Sequence, residues 1–231
     1  MKILECKDLC KNFGAKKVLQ NINLEIESGK IIGLLGPNGS GKTTFIKLIN
    51  DLLTPTSGSL FIKGEKPGIA TKKIVSYLPD KNYLDDSMNI LELIAFFKDF
   101  YEDFNEEKAF KLMKDLHLNE KDKLKNMSKG TKEKVQLILV MSRKAELYVL
   151  DEPIGGVDPA ARDYILNTIL NNLSEDSSLI ISTHLIDDIE KILDEVIFIK
   201  EGKIVLDNSA DEIRTKTSKS IDALFREEFK C

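Results

Sequence analysis

Cysteine, histidine, an excess of charge of either sign and long apolar runs are all scarce in this 231-residue chain. Three cysteines, at Cys6, Cys10 and Cys231, are too few for a disulfide framework in a protein of this size. Cys6 and Cys10 lie four apart, but no other cysteine or histidine is near them in sequence to complete a metal site. The charges nearly balance, 34 Lys+Arg against 38 Asp+Glu for a net −4, which excludes a basic nucleic-acid wrapper. No nucleic-acid partner is expected. No apolar run reaches the roughly 18 residues that a membrane-spanning helix needs. The first residues, MKILECKDL, meet an acid at Glu5 and lack the apolar core of a signal peptide. Internal repeats and low-complexity tracts are also missing. These absences lead us to expect a chain in a reducing cytoplasm with no membrane segment of its own.

What is present is 42% hydrophobic residues and 31% charged, enough for one domain with a sizeable core. Lys17–Ile26 alternates at Val18, Gln20, Ile22, Leu24 and Ile26, the period of a half-buried strand. Ile31–Leu35 is a continuous apolar strand of the kind covered on both faces. A glycine-rich turn follows, then a helix expected over Thr44–Leu53. Short strands are expected at Gly58–Glu65 and Lys73–Leu78. Helical spacing sets in at Asn89–Phe100, Asn105–Leu116 and Lys129–Met141, with Asn105 a candidate cap. Residues from about 80 to 140 therefore read as a helical subdomain inside an α/β pattern. Strand and helix then alternate. Strands are expected at Glu146–Leu150 and Ser178–Ser182, helices at Pro159–Leu173 and Leu185–Leu193, and a hairpin spans Glu195–Leu206. This order predicts an α/β fold with a mostly parallel sheet. A short tail, residues 216–231, includes the amphipathic IDALFREEF.

The strongest motif is Gly36-Pro37-Asn38-Gly39-Ser40-Gly41-Lys42-Thr43, a complete GxxxxGK[ST] placed after a strand and before a helix. Its glycines let successive N–H groups face one anion. Lys42 can reach β- and γ-phosphates, and the Thr43 hydroxyl can ligate Mg²⁺. The helix opening at Thr44 adds its positive end. Further on, the apolar strand LYVL ends in Asp151 and Glu152. Asp151 is placed to hold Mg²⁺ through water, and Glu152 to polarise an attacking water.

Three more segments complete the pattern: Met127-Ser128-Lys129-Gly130-Thr131, Gly156-Val157-Asp158-Pro159 and Ser182-Thr183-His184. With the phosphate loop and LYVLDEP, this set resembles the ATP-binding subunit of ABC transporters over about residues 1–215. The resemblance implies a P-loop NTPase core with an N-terminal antiparallel β region and the inserted helical subdomain. It implies two cassettes, identical or different, closing head to tail on two ATP, with Ser128 and Gly130 meeting the γ-phosphate held by the other. It further implies that Phe13 stacks on adenine, that His184 contacts the γ-phosphate and the catalytic water, and that Asp158 carries signals across the dimer. His117 is expected to be a surface residue of the subdomain.

Two departures stand out. The signature reads MSKGT where the family has a form close to LSGGQ, and Asp80 occupies the position of a Gln that ligates Mg²⁺. A carboxylate there can ligate the metal more strongly, or it can be a turn residue after Pro79. The implied activity is ATP hydrolysis that drives a separate multi-span permease, with the chain peripheral on the cytoplasmic face of the membrane. The SKGT signature, Asp80 and the short tail look like small export or drug and antimicrobial-peptide resistance systems. Two other readings are a soluble relative acting on ribosome or nucleic acid, and an ATP-binding scaffold without turnover. The first would carry two cassettes or a long coiled-coil insert, and the second would lack Glu152 or His184.

Overall fold

The computed structural model describes residues 1–229; Cys231 lies outside the described residues. The first half of the chain builds an antiparallel layer. Strand β1 (Lys2–Phe13) pairs with β2 (Lys16–Glu27) and with β4 (Ser57–Ile62), in the order β2-β1-β4. The expected alternation of β2 holds from Ile22 to Ile26 and then breaks. Leu19 is buried, while Val18 and Gln20 are only partly covered. The cause is a bulge. Leu9 faces Ile22 but Lys11 faces Leu19, and Asn21 takes a left-handed backbone (φ 49°). One extra residue puts the side chains before it on the opposite face from those after it.

The second sheet has the order β5-β6-β7-β3-β8-β9. Its strands are β3 (Ile31–Leu35), β5 (Val75–Leu78), β6 (Leu147–Asp151), β7 (Ser178–Ser182), β8 (Glu195–Lys200) and β9 (Lys203–Ser209). All neighbours run parallel except β8 and β9. Every residue of β6 and β7 is buried, as expected of strands with both faces covered. The carboxyl ends of β3, β6 and β7 therefore open on one edge. In such sheets ligands bind at that edge.

Helix α1 (Lys42–Ile49) follows β3 and stops four residues before the expected Leu53, where the chain turns at Asp51 (φ 55°). A short α2 (Ile69–Lys72) was not legible in the sequence. Helices α3 (Ile90–Phe100), α4 (Glu106–Asp115) and α5 (Lys129–Met141) form the helical subdomain. Asn89 and Glu92 cap α3 reciprocally, through Glu92 N to Asn89 Oδ1 at 2.9 Å and Asn89 N to Glu92 Oε2 at 2.8 Å. Asn105 caps α4 by accepting from the Lys108 N–H at 2.9 Å. Residues 135–141 of α5 are all buried, so this helix belongs to the subdomain and to the sheet core at once.

A buried arginine ties the two parts together. Arg143, 4% exposed, donates to Asp103 (3.0 Å) and to the carbonyls of Val75 (2.6 Å) and Lys73 (2.9 Å). Its guanidinium also lies 3.9 Å from the centroid of the Tyr101 ring. A buried cation is tolerable only with partners of this quality. Beyond β7 come α6 (Pro159–Leu170), a brief α7 (Ile186–Ile189), α8 (Ala210–Thr217) and α9 (Ile221–Phe229). Sequence position 215 falls inside α8, and α9 packs onto the core through Phe225 and Phe229.

Candidate nucleotide site

The phosphate loop joins the buried end of β3 to α1, and its conformation follows from its glycines. Gly39 and Gly41 adopt left-handed backbone (φ 81° and 115°), and Gly41 is the N-cap of α1. Gly36 is required for a different reason. A Cβ there would lie 2.3 Å from the Ile199 carbonyl and 2.7 Å from Ser40 Oγ. Lys42 is 6% exposed, and its ammonium donates to the carbonyls of Gly36 (2.7 Å) and Pro37 (3.3 Å). Burial lowers its pKa, opposed by the nearby charges of Glu152 and Asp151. The turn between β8 and β9 closes over the loop, with Gly202 N donating to Ser40 O at 2.9 Å. Ser40 Oγ is buried without a hydrogen-bond partner.

Asp151 ends β6 and is 1% exposed. Its Oδ1 accepts from Ser182 Oγ at 2.5 Å, whereas Oδ2 is buried without a partner. A buried, unpaired carboxylate oxygen beside a phosphate loop is an uncompensated cost unless something binds it. Among the described residues no group of three His, Cys, Asp or Glu forms a metal cluster. A divalent ion here would draw its few protein ligands from the Thr43 hydroxyl and the carboxylates of Asp80 and Asp151, and the rest from phosphate and water. That is the manner of Mg²⁺, and the donors present fit it.

Glu152 sits next in the chain with a left-handed backbone (φ 55°), held by its N–H donating to Ser182 O at 2.9 Å. This strained conformation turns the side chain from the sheet toward the open edge. There Glu152 Oε2 lies 2.9 Å from His184 Nδ1. The carboxylate is largely covered, and the imidazole is 56% exposed. The ring can donate from one nitrogen to Glu152 while the other faces the cleft.

These parts surround an open cleft of about 1030 Å³. Of the residues expected from sequence, Phe13, Asn38, Gly39, Gly41, Lys42, Thr43, Thr44, Asp80, Glu152 and His184 line it. Gly36, Pro37 and Ser40 do not line it. Phe13 is 48% exposed at the end of β1, with the Lys11 ammonium 5.0 Å from its ring centroid. Asp151 does not line this cleft; with Thr43 and Asp80 it borders an adjoining cavity of about 550 Å³ beside Tyr77, Tyr83 and Tyr101. Burial raises the Tyr77 phenol pKa, helped by the charges of Asp151 and Asp80.

Ser128, Gly130 and Asp158 do not line the cleft. Ser128 caps α5, where its Oγ accepts from Thr131 N at 3.2 Å. Lys16, Lys17, Val18, Gln20, Lys129, Gly155, Glu201 and Gly202 do line it, although they were not singled out as site residues. The cationic pair beside Phe13 was a usable signal for Lys16 and Lys17. Nothing local marks Gly202, which reaches the site from the far end of the chain.

Comparison with known proteins agrees with this geometry. Residues 19–155 match the family model described as ABC transporter. The chain is 32% identical over 213 residues to the SkfA peptide export ATP-binding protein SkfE of Bacillus subtilis, covering 90% of this chain and 89% of that one. It is 30% identical over 217 residues to the lantibiotic transport ATP-binding protein SrtF of Streptococcus pyogenes, covering 90% and 92%. A solved ATP-binding subunit of an ABC transporter superposes with a TM-score of 0.88 at 26% identity, over 97% of this chain and 98% of that one. The chain belongs to the ABC transporter family. It is an ATP-binding cassette, the kind of subunit that hydrolyses ATP to drive transport. Among the described residues no helix is long and apolar enough to cross a membrane.

Proposed function

We propose that this chain hydrolyses Mg·ATP as one of a head-to-tail pair of cassettes on the cytoplasmic face of the membrane, and that the cycle drives export through a separate multi-span permease. The observation that carries the hydrolytic part is the Glu152–His184 contact of 2.9 Å at the mouth of the phosphate-loop cleft. Glu152 would accept a proton from the attacking water, and His184 would hold the γ-phosphate end. Lys42 and the loop N–H groups would bind the β- and γ-phosphates, and Phe13 the adenine. Thr43, Asp80 and the unpaired Oδ2 of Asp151 are the protein groups available to Mg²⁺, which when bound would neutralise charge on the phosphates.

Ser128 and Gly130 do not line their own cleft, although Lys129 between them does, and this supports closure in trans. A hydroxyl and the free N–H groups of a helix start make a good anion contact for a second subunit. Asp158 is exposed just before α6. Export is the direction in the name of SkfE, and SrtF is named for lantibiotic transport. The permease would press on the Tyr83–Met88 loop and the tyrosine-lined cavity beside Asp80.

The test is Glu152→Gln. The variant should bind Mg·ATP, turn it over at least roughly a hundred-fold more slowly, and migrate as a dimer in size-exclusion chromatography with Mg·ATP but not with Mg·ADP. Undiminished turnover would overturn the role of Glu152. A persistent monomer, alone and with a co-expressed second cassette, would overturn the head-to-tail pair.

A further inference from the structure

We propose that the C-terminal helix α9 positions the hydrolytic pair from behind, acting through Glu190 on α7 and so on His184. The proposal rests on the reading above of Glu152 and His184 as that pair. Helix α7 begins two residues after His184 and is only four residues long. A helix this short has no stability of its own. Its N-cap, Leu185, makes no side-chain cap. Ile186 and Ile189 anchor one face in the core, Arg162 of α6 holds Asp188 at 3.0 Å, and further support comes from α8 and α9.

Glu190, the C-cap of α7, is the point of attachment. Its carbonyl accepts from Arg214 of α8, and its Oε2 accepts from the Asp222 N–H in the first turn of α9 at 3.2 Å. An acceptor anion at a helix start is favourably placed. Arg226 of α9 reaches Asp187 of α7 at 3.8 Å. Helix α9 is itself fixed by Ile221, which is fully buried, and by Phe225 and Phe229 against Phe198 of β8, at centroid distances of 5.5 and 5.7 Å.

The same helix also touches the other wall of the cleft. Lys200 donates to the Glu228 carbonyl at 2.7 Å, one residue before the Glu201–Gly202 turn that closes on the phosphate loop. One rigid element thus braces both the histidine and the turn over Ser40. Neither Glu190 nor α9 lines the nucleotide cleft, so their effect is on placement. Loss of that brace should lower kcat and leave ATP affinity intact.

The experiment measures ATP hydrolysis by the full chain at saturating Mg·ATP, using single-turnover assays for slow variants. The proteins are wild type, Glu190→Ala, Glu190→Gln, His184→Ala and the double variant Glu190→Ala/His184→Ala. Glu190→Ala should lose about tenfold in kcat with KM within about twofold, the worth of one hydrogen bond at the point of placement. Glu190→Gln keeps an acceptor oxygen and should retain most of the rate. In the His184→Ala background, Glu190→Ala should cost nothing further. ATP binding measured on each protein confirms that it is folded, and Phe225→Ala replaces Glu190→Ala if that variant does not fold. An equal loss from Glu190→Ala with and without His184 overturns the brace and leaves the catalytic reading standing. A raised KM with unchanged kcat does the same. If His184→Ala turns over at the wild-type rate, both the reading of the pair and the brace fail.

Discussion

At Lys42 two demands conflict. The side chain is nearly buried and holds an ammonium against two carbonyls, with Asp151 and Glu152 nearby but no direct ion pair to either. Its pKa is lowered because burial disfavours the charged form. Between the lowered folded value and the ordinary 10.5, the unfolded chain binds this proton more tightly, so the stability contribution of Lys42 rises with pH in that window and is a penalty below it. Lys42→Met should therefore leave the nucleotide-free protein at least as stable as wild type at pH 7. The advantage should shrink as pH approaches 10. Urea midpoints at both pH values check this. The same variant should lose ~2 kcal/mol of ATP binding, roughly thirty-fold, by isothermal titration, because a charge-assisted contact to the phosphates is gone.

Asp80 offers a second residue-scale test. It is exposed, and it borders both the cleft and the cavity that reaches Asp151. If its carboxylate meets the metal, Asp80→Ala should raise the Mg²⁺ concentration needed for half-maximal hydrolysis, while Asp80→Gln retains much of the activity. Wild type should also lose more ATP affinity on adding EDTA than Asp80→Gln does, since a bare carboxylate repels the γ-phosphate once the metal is removed. Equal loss in all three proteins would leave Asp80 as a turn residue.

Among the elements, those with a strong local signal were legible. Helix α5 spans the predicted Lys129–Met141, and β3 and β7 match their apolar runs. The cap of α4 by Asn105 was also readable. The reciprocal cap of α3 was missed, although Asn89 and Glu92 carry it in their spacing. Asn89→Ala should cost ~1 kcal/mol of stability, seen as a lower urea midpoint with an unchanged slope, because the Glu92 N–H at the helix start loses its side-chain acceptor. Elements set by long-range contact were misjudged. Helix α7 shrinks from the expected Leu185–Leu193 to four residues, and the bulge at Asn21 moved Leu19 into the core in place of Val18. Alternation measures distance along one strand, and a bulge is decided by the strand opposite.

At the scale of the molecule, parallel order brings three separated segments to one edge. Gly36–Thr43, Glu152 and His184 meet because β3, β6 and β7 are adjacent in the sheet. The α3–α5 region is held to that sheet by the buried Arg143, whose contacts span Val75, Asp103 and Tyr101. Arg143 carries no motif, and only its burial reveals that it bridges the two parts. Ser128 caps the helix that shares both cores; Lys129 beside it reaches the cleft lined by Lys42, while Ser128 and Gly130 do not. The Glu152→Gln experiment tests the proposed pairing of two cassettes.

The amino-acid sequence alone determined the family, the phosphate loop, the acidic strand end and the histidine, because each depends on residue type at short spacing. It also marked Asp80 as unusual. The tertiary structure decided which of these face one cleft. It placed Glu152 against His184, left Asp151 Oδ2 unpaired, brought Gly202 over Ser40 from 162 positions away in the chain, and set α9 behind α7. These are contacts between segments distant in sequence. They arise from strand order and buried packing, which no local pattern encodes.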